Sequence, residues 1–85
     1  MKTLVIGATT NKERYAYKAI HNLVGKSHQV VALGIKEGMA LDVKIETEKK
    51  QFLGVDTVTL YVNPKNQKEY YDYILSLKPR RVIFN

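Results

Sequence analysis

The sequence predicts an α/β domain: a mostly parallel sheet of about five strands with helices on both faces. Three observations carry this. Short β-branched apolar runs alternate with longer stretches of helical spacing. The runs are nearly all apolar, which suits strands buried on both faces. The first of them, Leu4-Val5-Ile6, passes straight into a glycine-tipped turn, Gly7-Ala8-Thr9-Thr10-Asn11, with a helix behind it. Alternation of this kind implies right-handed crossovers.

Residues 2–6 are the first strand. In residues 15–26, Ala16, Ala19, Ile20, Leu23 and Val24 fall at i, i+3, i+4, i+7 and i+8, one apolar stripe along a helix. Gly25 marks its C-terminal stop. Thr10 and Glu13 have the spacing of a capping box, which would start the helix slightly earlier. Residues 29–33 are the second strand. Residues 34–38 read as a loop holding Lys36 and Glu37, and residues 43–45 as a short edge strand. Residues 46–53 are polar, with Phe52 and Leu53 as anchors and room for a short helix. Residues 57–62 are the clearest strand by composition. Asn63-Pro64 ends it, with Pro64 in a turn or at a first helical position. Asn66 and Glu69 are a second capping candidate, and Tyr70, Ile74 and Leu77 form the inward stripe of the helix that follows. Tyr71 and Leu75 lie beside that stripe, and Lys78-Pro79 ends the helix. Residues 81–84 are the last strand. No helix follows it, so it lies at a sheet edge or the chain is a piece of a longer domain.

Eighty-five residues are expected to form one domain. There is no cysteine, which removes disulfides, thiolate metal sites and a cysteine nucleophile. The apolar run at the N-terminus is too short for a signal peptide or a membrane span. The expectation is a cytoplasmic protein. A net charge of +6 suits an anionic partner. The basic residues are spread along the chain and form no arginine-rich block, so nucleic acid is a weaker alternative. An exposed edge strand would allow a homodimer or a partner protein.

A strand-to-helix turn of this kind presents backbone N–H groups and a helix N-terminus to an anion, so a phosphate-bearing ligand is expected there. It is not a dinucleotide fingerprint, because Thr9 and Lys12 stand where the later glycines would fall. Nor is there a Gly-Lys-Ser/Thr element. After the second strand the chain reads Leu33-Gly34-Ile35-Lys36, with a lysine and no carboxylate. Sites for NAD usually place an acid there. A lysine instead favours a phosphorylated ribose, as in NADP or coenzyme A.

The segment Gly7-Ala8-Thr9-Thr10-Asn11-Lys12-Glu13-Arg14-Tyr15-Ala16-Tyr17-Lys18-Ala19 resembles the phosphate loop of small CoA-binding domains with a Rossmann-like fold. These domains are related to the N-terminal domain of the succinyl-CoA synthetase α subunit. Residues 55–64 resemble the strand and loop across the ligand cleft, and residues 78–85 the next strand. The resemblance spans residues 1–85 and implies a three-layer α/β/α domain that binds coenzyme A or an acyl-CoA. It implies that the pyrophosphate rests on Gly7, Ala8, Thr9, Thr10 and Asn11, with Arg14 adding charge. It places Lys36 at the 3′-phosphate and Ile35 near the adenine. Tyr61, Asn63 and Pro64 would belong to the opposite wall. The chain departs from the family pattern at Ala16, where serine is common, and in lacking proline after the second strand. Domains of the family continue with a Pro-Gly loop, a helix and a strand, which implies that this chain lacks them.

No catalytic constellation is visible. Ser27 and Ser76 carry no sign of activation, and Asp42, Glu46 and Glu48 lie away from the expected cleft. His21 and His28 have no metal-ligand companions. Tyr70, Tyr71 and Tyr73 could offer a stacking platform, but core and rim packing of a helix is the reading preferred, because Tyr commonly buries its ring and keeps its hydroxyl wet. The expectation is therefore a non-catalytic CoA-binding module. An NADP-type nucleotide-binding domain of a reductase is the alternative, with a basic nucleic-acid-binding protein behind it.

Overall fold

A computed structural model describes residues 1–85. It is a six-stranded sheet in the order β3-β4-β2-β1-β5-β6. The strands are β1 (Lys2–Ile6), β2 (Gln29–Leu33), β3 (Gly38–Ala40), β4 (Val43–Glu46), β5 (Val55–Leu60) and β6 (Arg81–Phe84). All neighbouring pairs are parallel except β3 with β4. The helices are α1 (Tyr15–Gly25), α2 (Pro64–Gln67) and α3 (Tyr71–Leu77), with a 3₁₀ turn over Lys68–Tyr70 between the last two.

Alternation along the central strand β1 makes two cores. Leu4 and Ile6 face one way and join Leu33, Val58, Leu60, Tyr73 and Ile74. Val5 faces the other way and joins Ala16, Ile20, Ala32 and Ile45. The chain moves from β1 to β2 in one direction across the sheet and from β5 to β6 in the other. With right-handed crossovers, opposite directions of travel put the two helices on opposite faces. They sit there: α1 covers the Val5 face through Ala16 and Ile20, and α3 covers the Leu4 face through Tyr73 and Ile74. Burying a side chain such as Ile20 contributes about 1.5–3 kcal/mol, which fixes α1 against the sheet.

Several local expectations change. The sheet has one strand more than expected, because residues 38–40 pair antiparallel with β4. The two join through a two-residue turn in which Leu41 takes φ +56. This makes β3 the edge and places β4 inside the sheet, against β2. No helix forms between β4 and β5; Phe52 packs against the Leu4-side core from a loop. β5 begins at Val55 and ends at Leu60, so Tyr61 and Val62 lie beyond it. The left-handed residue after α1 is Ser27 (φ +63), not Gly25. The last strand, β6, lies at the other edge of the sheet. No helix is long and apolar enough to cross a membrane.

Candidate functional site

β1 is the point at which the strand order reverses: β2 lies on one side of it and β5 on the other. In open α/β sheets the crevice beyond the carboxyl end of such a strand is where ligands bind. Three segments meet there: the loop of residues 7–14 after β1, residues 34–36 after β2, and residues 61–63 after β5.

The loop after β1 is fastened from both flanks. The Gly7 and Ala8 amides both donate to the Leu33 carbonyl, at 2.9 and 3.0 Å. The Tyr61 amide donates to the Ile6 carbonyl at 2.8 Å. Gly7 has φ +88, and a Cβ there would lie 2.6 Å from the Tyr61 carbonyl oxygen. Only glycine meets both conditions without strain. Gly34 is equally constrained, because a Cβ on it would run into the Ala8 carbonyl and come within 2.9 Å of Ile45 Cγ2.

Within the loop the side chains shape the backbone. Thr9 Oγ1 accepts from the Asn11 amide at 3.1 Å, and Asn11 Oδ1 accepts from the Glu13 amide at 3.0 Å. These bonds turn the chain before the helix begins and displace the expected Thr10–Glu13 capping box. Glu13 stays outside α1, and Arg14 stands at the N-cap without a side-chain cap bond. The first bond of the helical type is Lys18 N–H to the Arg14 carbonyl, 3.2 Å. The amides of Thr9, Thr10, Lys12, Tyr15, Ala16 and Tyr17 consequently donate to nothing in the chain.

The segment after β5 is held by its own cap. Asn63 Oδ1 accepts from the Asn66 amide at 3.1 Å, so Asn63 starts α2, with Pro64 at the first helical position. The expected cap at Asn66 does not form, since Asn66 is already within the helix. Gln67 is buried and donates from Nε2 to the Val62 carbonyl at 2.9 Å, bracing the strand exit.

These walls enclose a cleft with two lobes that share Gly7, Arg14, Tyr61, Val62 and Asn63. One lobe, of about 530 Å³, is lined by every expected site residue except Pro64. The other, of about 650 Å³, runs along α1 past Lys18 and Asn22 to Asn85. Arg14, Lys18 and Lys36 line the cleft and make no ion pair within the chain. No three His, Cys, Asp or Glu side chains gather as a metal would require.

The CoA binding domain family matches residues 1–85, the whole chain. The chain belongs to this family. The crystal structure of an uncharacterized protein is similar to it at 52% identity and a TM-score of 0.95, over 99% of this chain and 69% of that one. No curated protein matches.

In this CoA binding domain, sequence reasoning passed over Gly34, Asn66, Glu69 and Tyr70, which also line the smaller lobe. Gly34 could have been found from its position directly after β2, where the chain must pass the phosphate loop. Glu69 carried no such signal, and Tyr70 only that of one tyrosine among three that could offer a stacking platform. The helical stripe places Tyr70 against the core, where it packs beside Tyr73 and Ile74, and its half-buried ring also borders the lobe.

Proposed function

We propose that this domain binds coenzyme A or an acyl-CoA in the cleft at β1 without chemistry of its own. In this reading the free amides of Thr9, Thr10 and Lys12 and the first turn of α1 bind the pyrophosphate. Gly7 and Ala8 serve as the fixed hinge of that loop, since their amides are already bonded to Leu33. Arg14, at the junction of the two lobes, adds charge to the pyrophosphate site, and Lys36 takes the 3′-phosphate. Ile35 packs near the adenine, and Tyr61, Asn63 and Pro64 form the far wall.

The observation that carries this reading is the set of unpartnered amides behind a loop clamped by Gly7, at the crevice where the strand order reverses. The residues fit the group: an anion site built of amides and unpaired cations faces a multiply phosphorylated ligand. The non-catalytic reading rests on the lining itself. Neither lobe is lined by a serine, cysteine or histidine side chain.

Calorimetric titration with coenzyme A, 3′-dephospho-CoA, NADP and NAD tests the proposal. The expected result is binding of coenzyme A, weakened by loss of the 3′-phosphate. In Lys36→Ala that difference should shrink. Binding of NADP with flat heats for coenzyme A would overturn the reading.

A further inference from the structure

Glu69 is out of place in an anion site. It is the one carboxylate among the residues lining either lobe, where Arg14, Lys18 and Lys36 supply the other charges. A carboxylate repels phosphate and accepts hydrogen bonds, so it belongs opposite a part of the ligand that is uncharged and donates them.

Its neighbour completes a slot. Tyr70 lines the same lobe and is half-buried. Lys49 holds the 3₁₀ turn from outside the cleft: its ammonium donates to the Glu69 carbonyl at 2.8 Å and lies 5.1 Å from the centre of the Tyr70 ring. The ring is therefore held in place before any ligand arrives. Ile35 reaches the same lobe from the loop after β2 and is 88% exposed, with nothing in the chain packed on it. A fixed aromatic ring and a bare aliphatic side chain, brought to one lobe by different elements, suit a flat aromatic ring.

We propose that Tyr70 and Ile35 receive the adenine ring of the ligand between them and that Glu69 accepts a hydrogen bond from its 6-amino group. The proposal rests on the CoA reading above and adds base recognition by residues after β5. Because Leu33-Gly34-Ile35-Lys36 has no carboxylate, the nucleoside gets no acidic contact from the β2 side. Glu69 supplies one from the other side of the cleft.

The test is calorimetry of the whole chain and its Glu69→Gln, Tyr70→Leu and Tyr70→Phe variants. The ligands are coenzyme A and its analogue carrying hypoxanthine, in which a keto oxygen replaces the 6-amino group. The unaltered chain should prefer coenzyme A about tenfold or more, as for a hydrogen bond to a charged acceptor. Glu69→Gln should erase the preference, because a carboxamide both accepts and donates. Tyr70→Leu should weaken both ligands about tenfold through lost stacking, and Tyr70→Phe neither. Glu69 is exposed, so its variant reads recognition and not folding. The Tyr70 variants are compared at matched urea midpoints. Coenzyme A binding with no preference between the bases overturns the assignment of Glu69 while the CoA reading stands. Unchanged affinity in Tyr70→Leu overturns the stacking in the same way. Flat heats for coenzyme A in the unaltered chain overturn both.

Discussion

Gly7 faces the Tyr61 carbonyl so closely that a Cβ would fall 2.6 Å from the oxygen, in a backbone already at φ +88. The contact joins the exits of β1 and β5 and sets the floor of the cleft. Gly7→Ala should therefore lower stability by about 2–4 kcal/mol, combining a left-handed penalty with overpacking. Urea denaturation measures this. A midpoint equal to that of the parent would show that the two exits are free to part.

Gly38 packs against the methyl group of Thr10; a Cβ there would lie 2.5 Å from Thr10 Cγ2. Gly38→Ala should cost about 1–2 kcal/mol. Thr10→Ser removes that methyl and should recover most of the loss. A double-mutant cycle without coupling would exclude the contact as the cause.

Asn63 has two roles that one substitution can separate. Asn63→Ala should cost about 1 kcal/mol through loss of the cap on Asn66. Asn63→Asp keeps an acceptor for that amide, so stability should be retained. It also adds a negative charge to the cleft wall, so coenzyme A should bind more weakly. Urea midpoints and calorimetry on the same two variants read the two effects independently.

Burial pushes the Tyr73 hydroxyl from its ordinary value near 10.0 up to about 12. The hydroxyl donates to the Lys50 carbonyl at 2.5 Å, which ties the loop before β5 to α3. Folding favours the neutral phenol. Its stabilising effect is complete below pH 10 and is lost as pH rises toward 12. Tyr73→Phe should cost about 1 kcal/mol at pH 8. It should also flatten the decline in stability between pH 10 and 12. An unchanged alkaline decline would assign it to other groups.

Most of the framework was legible because its signals are local. β1, α1, β2 and β6 follow from apolar periodicity, and all the expected cleft residues except Pro64 line one lobe. What was not legible depends on contacts remote in sequence. Gly38-Met39-Ala40 has no β-branched residue and becomes a strand only by pairing with β4. The capping box lost to Thr9 and Asn11, whose side chains bond within the loop. The stripe through Tyr70, Ile74 and Leu77 does face the core, and Tyr73 joins it. That Glu69 and Tyr70 also border the cleft depends on where the 3₁₀ turn places them beside the loop after β2, and no spacing rule would have selected them.

The cleft draws its walls from residues 7–14, 34–36 and 61–70, on both sides of β1. The β1–β5 ladder that joins the two sides shifts register between Lys2 and Thr3. A molecule touching all three segments, as proposed for coenzyme A, ties the two sides together at the opposite end of β1 from that shift. At a hundredfold excess over its dissociation constant it adds about 2.7 kcal/mol, a large share of the stability of a small domain. On the proposed reading, the stability of the folded chain rises with the concentration of its ligand.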